Sequence, residues 1–387
     1  MRMFGSFQNE IYQGGLEDIR PELPTDPTRL EALAEQRMPA EAFGYVAGSA
    51  GSEATARANR AAFERWRIVP RMLRDVSVTD LSTTVLGTAM PAPVALAPIG
   101  VLGIVHPDGE LAVARAAASF GLPIVVSTAA STTLEDVAVA GGGAPRWYQL
   151  YWPKNRDLAL SFLERAAAAG YETLVLTVDT YTMGWRPRDL DNAFLPFLRG
   201  IGTQNYFADP VFQGLVGGSI DDDNRLAAVL QWAATFGSPS LSWDDLRFLR
   251  ENWRGPIALK GILHPDDARR AADAGMEGVI VSNHGGRQVD GAVAALDALP
   301  AVAEAVGDRV ELLFDSGVRT GADVVKALAL GARAVLLGRP YVFGLGLAGE
   351  AGVRHVLRCV LAELELTVAL SGATRPDELG PQLLVAG

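Results

Sequence analysis

Residues 277–288 read "EGVIVSNHGGRQ": an unbroken apolar run, then Ser282, Asn283 and His284, then two glycines and Arg287. An apolar run without alternation is the mark of a strand covered on both faces, as in a parallel sheet. Packing does not require such a strand to end in His-Gly-Gly-Arg. The ending sends an imidazole and a guanidinium out onto a bare turn, and the rest of the chain has to say what they face.

Seven more runs of this kind occur: "VALAPIG" (94–100), "IVVST" (124–128), "RWYQLYW" (146–152), "TLVLTVD" (173–179), "IALKGI" (257–262), "VELLFDS" (310–316) and "AVLLGRP" (334–340). Amphipathic segments such as "RDLALSFLERAAAAG", "HPDDARRAADAG" and "TGADVVKALALG" lie between them. Each ends in a glycine, which closes a helix without Cβ strain. Eight β-α units in succession predict an α/β fold, a (β/α)8 TIM barrel, whose functional groups gather at the C-terminal strand ends.

Two parts exceed a minimal barrel. Residues 1–93 form an N-terminal extension: a polar tail, a helical stretch from Pro39 to Trp66, and "VSVTDLSTTVLGTAM" (76–90), which reads as a hairpin closing the barrel floor. The barrel itself then occupies 94–387. The fourth apolar run is followed by a connection far longer than the few residues usual for a barrel, so a lid is expected over about 187–241. Within it "DDD" (221–223) lacks metal-ligand spacing and reads as a solvated turn, and no metal is expected. "GLGLAG" (344–349) fits a dinucleotide-loop pattern but does not open a βαβ unit, and helix packing accounts for it better.

The 387 residues are 49% hydrophobic and 20% charged, a globular composition, with a formal net charge of −11. That charge, without a basic cluster, argues against nucleic-acid or anionic-membrane partners. The single cysteine, Cys359, excludes an intramolecular disulfide and suits a reducing, cytoplasmic setting. No apolar h-region opens the chain and no stretch is long enough to span a membrane.

If the strand ends face one pocket, they bring together Gly100, Ser127, Gln149, Tyr151, Thr177, Asp179, Lys260, Ser282, His284, Asp315, Gly338 and Arg339. Any one of these has a bland explanation as a turn cap or a snorkelling side chain. Together they divide by chemistry. "DSGVRTG" and "LGRP" supply glycine N–H groups and the arginines Arg319 and Arg339, where barrels hold phosphate. Ser127, Gln149, Thr177 and Lys260 suit the heteroatom edge of a flat ring. His284, Arg287, Arg186 and Tyr151 suit a substrate acid: a base of near-neutral pKa, and two guanidinium forks for one carboxylate, with Asp179 orienting the histidine.

"SNHGGRQ", "LFDSGVRTGADVVKALALGA", "GRP", "LTVDT", "QLYW" and "LKGI" resemble the FMN-dependent 2-hydroxy-acid oxidase and dehydrogenase family, from about Pro39 onward. The resemblance implies FMN as cofactor. It implies His284 as proton acceptor with Asp179 as its partner, Arg186 and Arg287 as carboxylate ligands, and Tyr45 and Tyr151 as substrate tyrosines. Pro98, Ile99, Gly100, Ser127, Gln149, Thr177, Lys260 and Ser282 become flavin contacts, and Asp315, Ser316, Gly317, Arg319, Gly338 and Arg339 become ribityl and phosphate contacts. "NEIYQGGL", "APIGV", "GWRPRDL", "PFLRG" and "DPVFQ" resemble the branch that converts lactate and O2 to acetate, CO2 and water. The alternative is an oxidase that releases the 2-keto acid and hydrogen peroxide. A homotetramer or homo-octamer follows from the same resemblance. Gly100 is expected to leave room beside the flavin N5 for oxygen and a retained keto acid. Ala129 and Met183 are expected to widen the side-chain end of the pocket unless Tyr206 or Phe207 fills it. An FMN barrel isomerase acting on a prenyl diphosphate would share the phosphate turns but has no use for His284 with two arginines. A non-catalytic scaffold would not need the polar set at all.

Overall fold

Each of the eight apolar runs forms a strand of one closed parallel barrel in the computed structural model, which describes residues 4–387. The first three residues of the predicted extension lie outside the described residues. Three short strands come first, β1 (Trp66–Ile68), β2 (Thr83–Val85) and β3 (Thr88–Met90). The barrel follows as β4 (Val94–Leu96), β5 (Ile124–Ser127), β6 (Arg146–Tyr151), β7 (Thr173–Thr177), β8 (Ile257–Ile262), β9 (Gly278–Val281), β10 (Glu311–Phe314) and β11 (Ala334–Leu337). Neighbours pair in chain order, and β11 closes on β4 with Val335 opposite Val94. A final strand, β12 (Leu384–Ala386), pairs antiparallel with β1 outside the barrel.

The predicted hairpin is β2–β3, turning at Leu86 and Gly87, both at positive φ (49° and 76°) as a two-residue hairpin turn requires. Val85, Leu86 and Met90 are buried in one cluster with the inward side chains of the barrel, among them Val125, Trp147, Val175 and Ile280. Glycine at the start of β9 makes room for this plug, since a Cβ on Gly278 would lie 3.0 Å from Leu86 Cδ2. The Trp147 indole N–H donates to Thr88 Oγ1 at 3.0 Å. Burial of each large apolar side chain of the plug contributes about 1.5–3 kcal/mol. The floor is therefore sealed, and the opposite end carries the polar groups.

The polar tail before Pro39 is itself largely helical. It holds helices Ser6–Gly14 and Pro27–Arg37, the second capped by Asp26, which accepts from Thr28 N at 2.7 Å. Leu30 and Ala34, one turn apart, are its buried face, and two apolar positions among so many polar ones are too few to read as a period.

Residues 178–256 connect β7 to β8 and contain five short helices: Pro187–Asp191, Gln204–Phe207, Pro210–Val216, Arg225–Thr235 and Leu246–Asn252. Their shared core is aromatic. Phe197 stacks on Trp232 with centroids 4.6 Å apart, and Trp232 meets Phe236 at 4.9 Å. Asp209, fully buried, caps the third of these helices and ties it to the barrel by accepting from Ser161 Oγ (2.7 Å) and Arg165 Nη1 (3.0 Å). The "DDD" stretch is an exposed turn in which Asp221 Oδ1 accepts the N–H groups of Asp223 and Asn224. "GLGLAG" ends in the kink at Ala348 and Gly349 (φ −151° and 57°) that breaks helix Arg339–Leu370 in two, and a Cβ on Gly344 would sit 2.5 Å from the carbonyl oxygen of Gly352 across that kink. Close packing is its use. Among the described residues no helix is long and apolar enough to cross a membrane.

Candidate active site

His284 leaves β9 in a left-handed conformation, φ 58°, followed by Gly285 at 66° and Gly286 at 80°. Left-handed backbone at a histidine is strained, by on the order of 1 kcal/mol, so the turn must be secured from outside. Ser282 Oγ accepts from His284 N (3.0 Å), Ser316 Oγ from Gly285 N (3.0 Å) and Asn283 Oδ1 from Gly286 N (3.1 Å). A Cβ on Gly286 would fall 2.7 Å from Ala56 N, so the chain of the N-terminal extension packs on bare backbone here.

The imidazole Nδ1 lies 2.9 Å from Asp179 Oδ1 and 3.1 Å from Thr180 Oγ1, which itself donates to Asp179 Oδ1 at 2.8 Å. With Nδ1–H on the carboxylate, Nε2 is the basic nitrogen. Burial holds the His284 pKa below the ordinary imidazole value, against the pull of Asp179, so the ring is neutral and able to accept a proton at neutral pH. Burial works against the Asp179 charge too, but His284 and Lys260 outweigh it and keep the carboxylate pKa low. Lys260 pairs with Asp315 at 3.0 Å and donates to Ser282 Oγ at 3.0 Å. Burial opposes its charge as well, and Asp315 and Asp179 more than compensate, raising its pKa.

Arg186, 6% exposed, donates Nε–H to the Arg287 carbonyl (3.0 Å) and Nη2–H to Gln288 Oε1 (2.7 Å). Arg287 donates Nη1–H to the carbonyls of Tyr45 (2.5 Å) and Gly48 (2.8 Å), and its guanidinium sits 4.9 Å over the Tyr45 ring. Among the described residues neither guanidinium has a carboxylate in ion-pair contact. Burial, and then Arg287, bring the Arg186 pKa down to about 10. Tyr151 packs on Phe236 with centroids 5.2 Å apart, and burial pushes its phenol pKa up, so it stays a hydroxyl donor.

One cavity, with ≈ 1180 Å³ of non-atom space including its mouth, is lined by Tyr45, Pro98, Ile99, Gly100, Ser127, Tyr151, Arg186, Lys260, His284, Arg287, Asp315, Ser316, Gly317, Arg319, Gly338 and Arg339. Gln149, Thr177 and Ser282 lie buried beside it: Gln149 Oε1 accepts from Ser127 Oγ at 2.9 Å, and Thr177 is the register partner of Lys260. Asp179 lines a neighbouring cavity and reaches this one through His284. The strand-end set therefore converges, as the sequence led us to expect.

The structure redraws three details. Arg339 spends its guanidinium on the carbonyls of Val46, Gly285 and Gly48 and on Ser49 Oγ, all at 2.9–3.0 Å, so it braces the extension as well as facing the cavity. Burial, then Arg319 and Arg287, lower its pKa to about 9. A Cβ on Gly100 would lie 2.5 Å from the Ala129 carbonyl oxygen, so the missing methyl makes room for backbone and not for oxygen beside a ring. Ala129 and Met183 do line the cavity, but the aromatic residues beside them are Phe197 and Phe236. Tyr206 is fully buried against Phe162, at 5.0 Å, and Phe207 against Phe212, at 6.0 Å, instead of filling the pocket. Thr180 and Gln288 were not foreseen. Their only signal was adjacency to Asp179 and Arg287, because a hydrogen bond across residues 180 and 284 leaves no local pattern.

The polar set fits FMN. Gln149 Nε2 and Thr177 Oγ1 are buried and have no hydrogen-bond partner in the protein, which costs about 1–3 kcal/mol each unless a ligand supplies one. Gln149 neighbours Ser127 and Thr177 neighbours Lys260, polar groups suited to a flat heteroaromatic edge. At the other end, Gly317, Arg319, Gly338 and Arg339 line the same cavity where helix Arg339–Leu370 begins without a side-chain cap, a setting suited to a phosphate.

A barrel with an Asp-backed histidine, two unpaired arginines and a phosphate corner on one cavity defines a flavin-dependent oxidoreductase of small acids. The chain belongs to the FMN-dependent dehydrogenase family, whose profile matches residues 34–386. It is 48% identical to an FMN-dependent alpha-hydroxy acid dehydrogenase of Schizosaccharomyces pombe, over 98% of this chain and 96% of that one. It is 45% identical to an L-lactate oxidase of Lysinibacillus sphaericus, over 92% and 91%. Among solved structures, mandelate oxidase with (S)-4-hydroxymandelic acid superposes with a TM-score of 0.83 at 38% identity, covering 94% of this chain and 99% of that chain.

Proposed function

We propose that the protein oxidises a small L-2-hydroxy acid, lactate foremost, with O2 as electron acceptor, and holds the keto acid for decarboxylation, giving acetate, CO2 and water. The observation that carries the reading is the pair Arg186 and Arg287, buried in one cavity with His284 and without an acidic contact of their own. They bind the substrate carboxylate; Tyr45 and Tyr151 flank it. His284 Nε2 takes the hydroxyl proton, and Asp179 holds Nδ1–H and stabilises the imidazolium that results. FMN, when bound, supplies the two-electron acceptor, held by Ser127, Gln149, Thr177, Lys260 and Ser282 at one end and by Gly317, Arg319, Gly338 and Arg339 at the other. Retention of the keto acid is supported by the depth of Arg186 and by the aromatic cover of Phe197 and Phe236 from the 178–256 connection. It no longer draws support from Gly100.

A second reading, an oxidase that releases keto acid and hydrogen peroxide, is favoured by the 45% identity to an L-lactate oxidase. Product analysis under air separates them. One acetate and one CO2 per lactate, with little peroxide, supports the first; stoichiometric pyruvate and peroxide replaces it with the second. No reduction of bound FMN by any 2-hydroxy acid would remove both.

A further inference from the structure

Gln288 directly follows the turn that presents His284 and Arg287, and the mechanism above gives it no task. Its side-chain amide is fully engaged. Nε2 donates to the carbonyls of Asp179 (2.8 Å) and Thr182 (2.8 Å), while Oε1 accepts from Arg186 Nη2 (2.7 Å) and, at 3.4 Å, from Gly184 N. These partners fix which way the amide points, because its hydrogens face two carbonyls and its oxygen faces two donors. All of them belong to the segment that leaves β7, residues 179–186. The same segment packs backbone to backbone on the turn: a Cβ on Gly184 would fall 2.5 Å from the Gln288 carbonyl oxygen and 2.6 Å from that of Arg287. Arg186 adds its Nε–H bond to the Arg287 carbonyl at 3.0 Å.

The chemistry of these partners narrows what can stand at position 288. A glutamate would accept from Arg186, but it would set a negative charge against two carbonyls and cancel the charge of the guanidinium. A methionine would fill the space and hold nothing. Among side chains of this length only a neutral amide serves both sides. One side is the backbone of Asp179, whose carboxylate lies 2.9 Å from the His284 ring, and the other is the guanidinium of Arg186. We propose that Gln288 is a positioning residue that holds Arg186 and Asp179 in fixed relation to each other by clasping residues 179–186 onto the turn at 284–287. It acts on the substrate carboxylate through Arg186 and on proton transfer through Asp179. This inference rests on reading Arg186 as a carboxylate ligand and His284 as the base.

The test is a double-mutant cycle on FMN-loaded protein that joins Gln288→Met to Arg186→Lys. Pyruvate affinity is read by calorimetry, and the saturating rate of flavin reduction by lactate is read anaerobically. Methionine keeps the length of the side chain and removes its hydrogen bonds. In the wild-type background it should weaken pyruvate binding on the order of tenfold and slow reduction by a similar factor. In the Arg186→Lys background the loss of pyruvate affinity should shrink to within about threefold, because the guanidinium that Gln288 holds is already gone. The loss in rate should persist there, since the Asp179 backbone is still released. A defect of folding alone costs the same affinity in both backgrounds. Equal affinity costs in the two backgrounds, or none in either, overturn the proposal. If Gln288→Met fails to fold or to hold FMN, Gln288→Asn, polar but one methylene too short to span both sides, is read in the same cycle. A wild type that neither binds pyruvate nor is reduced by lactate brings down the reading of the site and this inference with it. A wild type that does both, with equal costs around the cycle, removes this inference alone.

Discussion

Replacing Asp179 with asparagine isolates the electrostatic part of the His284 arrangement. The side chain keeps its shape and can still accept from Nδ1–H, but the charge 2.9 Å from the ring is gone. Proton transfer to Nε2 turns the ring into a cation, and the carboxylate–imidazolium attraction at roughly 4 Å between charge centres is worth about 4 kcal/mol at an effective dielectric of 20. Part of that survives as a neutral hydrogen bond, which leaves a loss of about 3 kcal/mol, or on the order of a hundredfold in the rate of flavin reduction. A second signature has a definite sign. Asp179 raises the His284 pKa against the stronger effect of burial, so its removal lowers that pKa further. The base is active when neutral, so the acid limb of the kcat/KM profile should move to lower pH while the plateau falls. Anaerobic stopped-flow reduction of bound FMN by lactate from pH 5 to 9 measures both. A plateau within threefold of wild type, or an acid limb displaced to higher pH, would refute the assignment of Asp179 as the charge behind the base.

Arg287→Lys removes a planar fork whose Nη1 also holds the Tyr45 and Gly48 carbonyls, so KM for lactate should rise at least about tenfold, with kcat less affected; an unchanged KM speaks against the clamp. Gly100→Ala drives a methyl against the Ala129 carbonyl and should cost about 1–3 kcal/mol, seen as a lower Tm, whereas an unaltered Tm would mean the two segments part without cost. Gln149→Leu deletes the buried amide donor at the flavin edge and should weaken FMN binding on the order of tenfold, followed by the fluorescence of released FMN; full retention would mean Nε2 makes no bond to the cofactor. Stripping FMN should lower the Tm of the wild-type protein, because a ligand that binds only the folded chain stabilises it by mass action, and equal melting with and without FMN would contradict the fit.

The barrel was legible because each strand announces itself locally. Val279, Ile280 and Val281 are apolar on both faces, and the other seven runs are mostly apolar too, with their polar residues near the strand ends, so spacing gave order and closure. The floor hairpin was legible for the same reason, through the glycine at 87. The site was legible as a set of residue types at strand ends, since topology carries all of them to one face. What escaped was set by contacts distant in sequence. Gly100 looked like an empty position beside a ligand, but its neighbour is the backbone at 129, which no pattern around "APIG" encodes. Arg339 looked like a phosphate ligand, and its bonds to residues 46–49 appear only when the extension is folded onto the barrel.

The way the barrel closes sets a schedule for making it. Val94 can find its partner Val335 only after more than half the chain has followed it out of the ribosome, on the order of ten to fifty seconds later at typical elongation rates. Trp66 waits longer still, for Ala386. Throughout that interval β4 is an open edge of an apolar parallel sheet, a template for pairing with other chains. The hairpin has no such delay, because β2 and β3 are joined by two residues and form among themselves. The nascent protein thus owns its stopper long before it owns the vessel, and its yield in a cell should depend on chaperones that shield the unclosed edge.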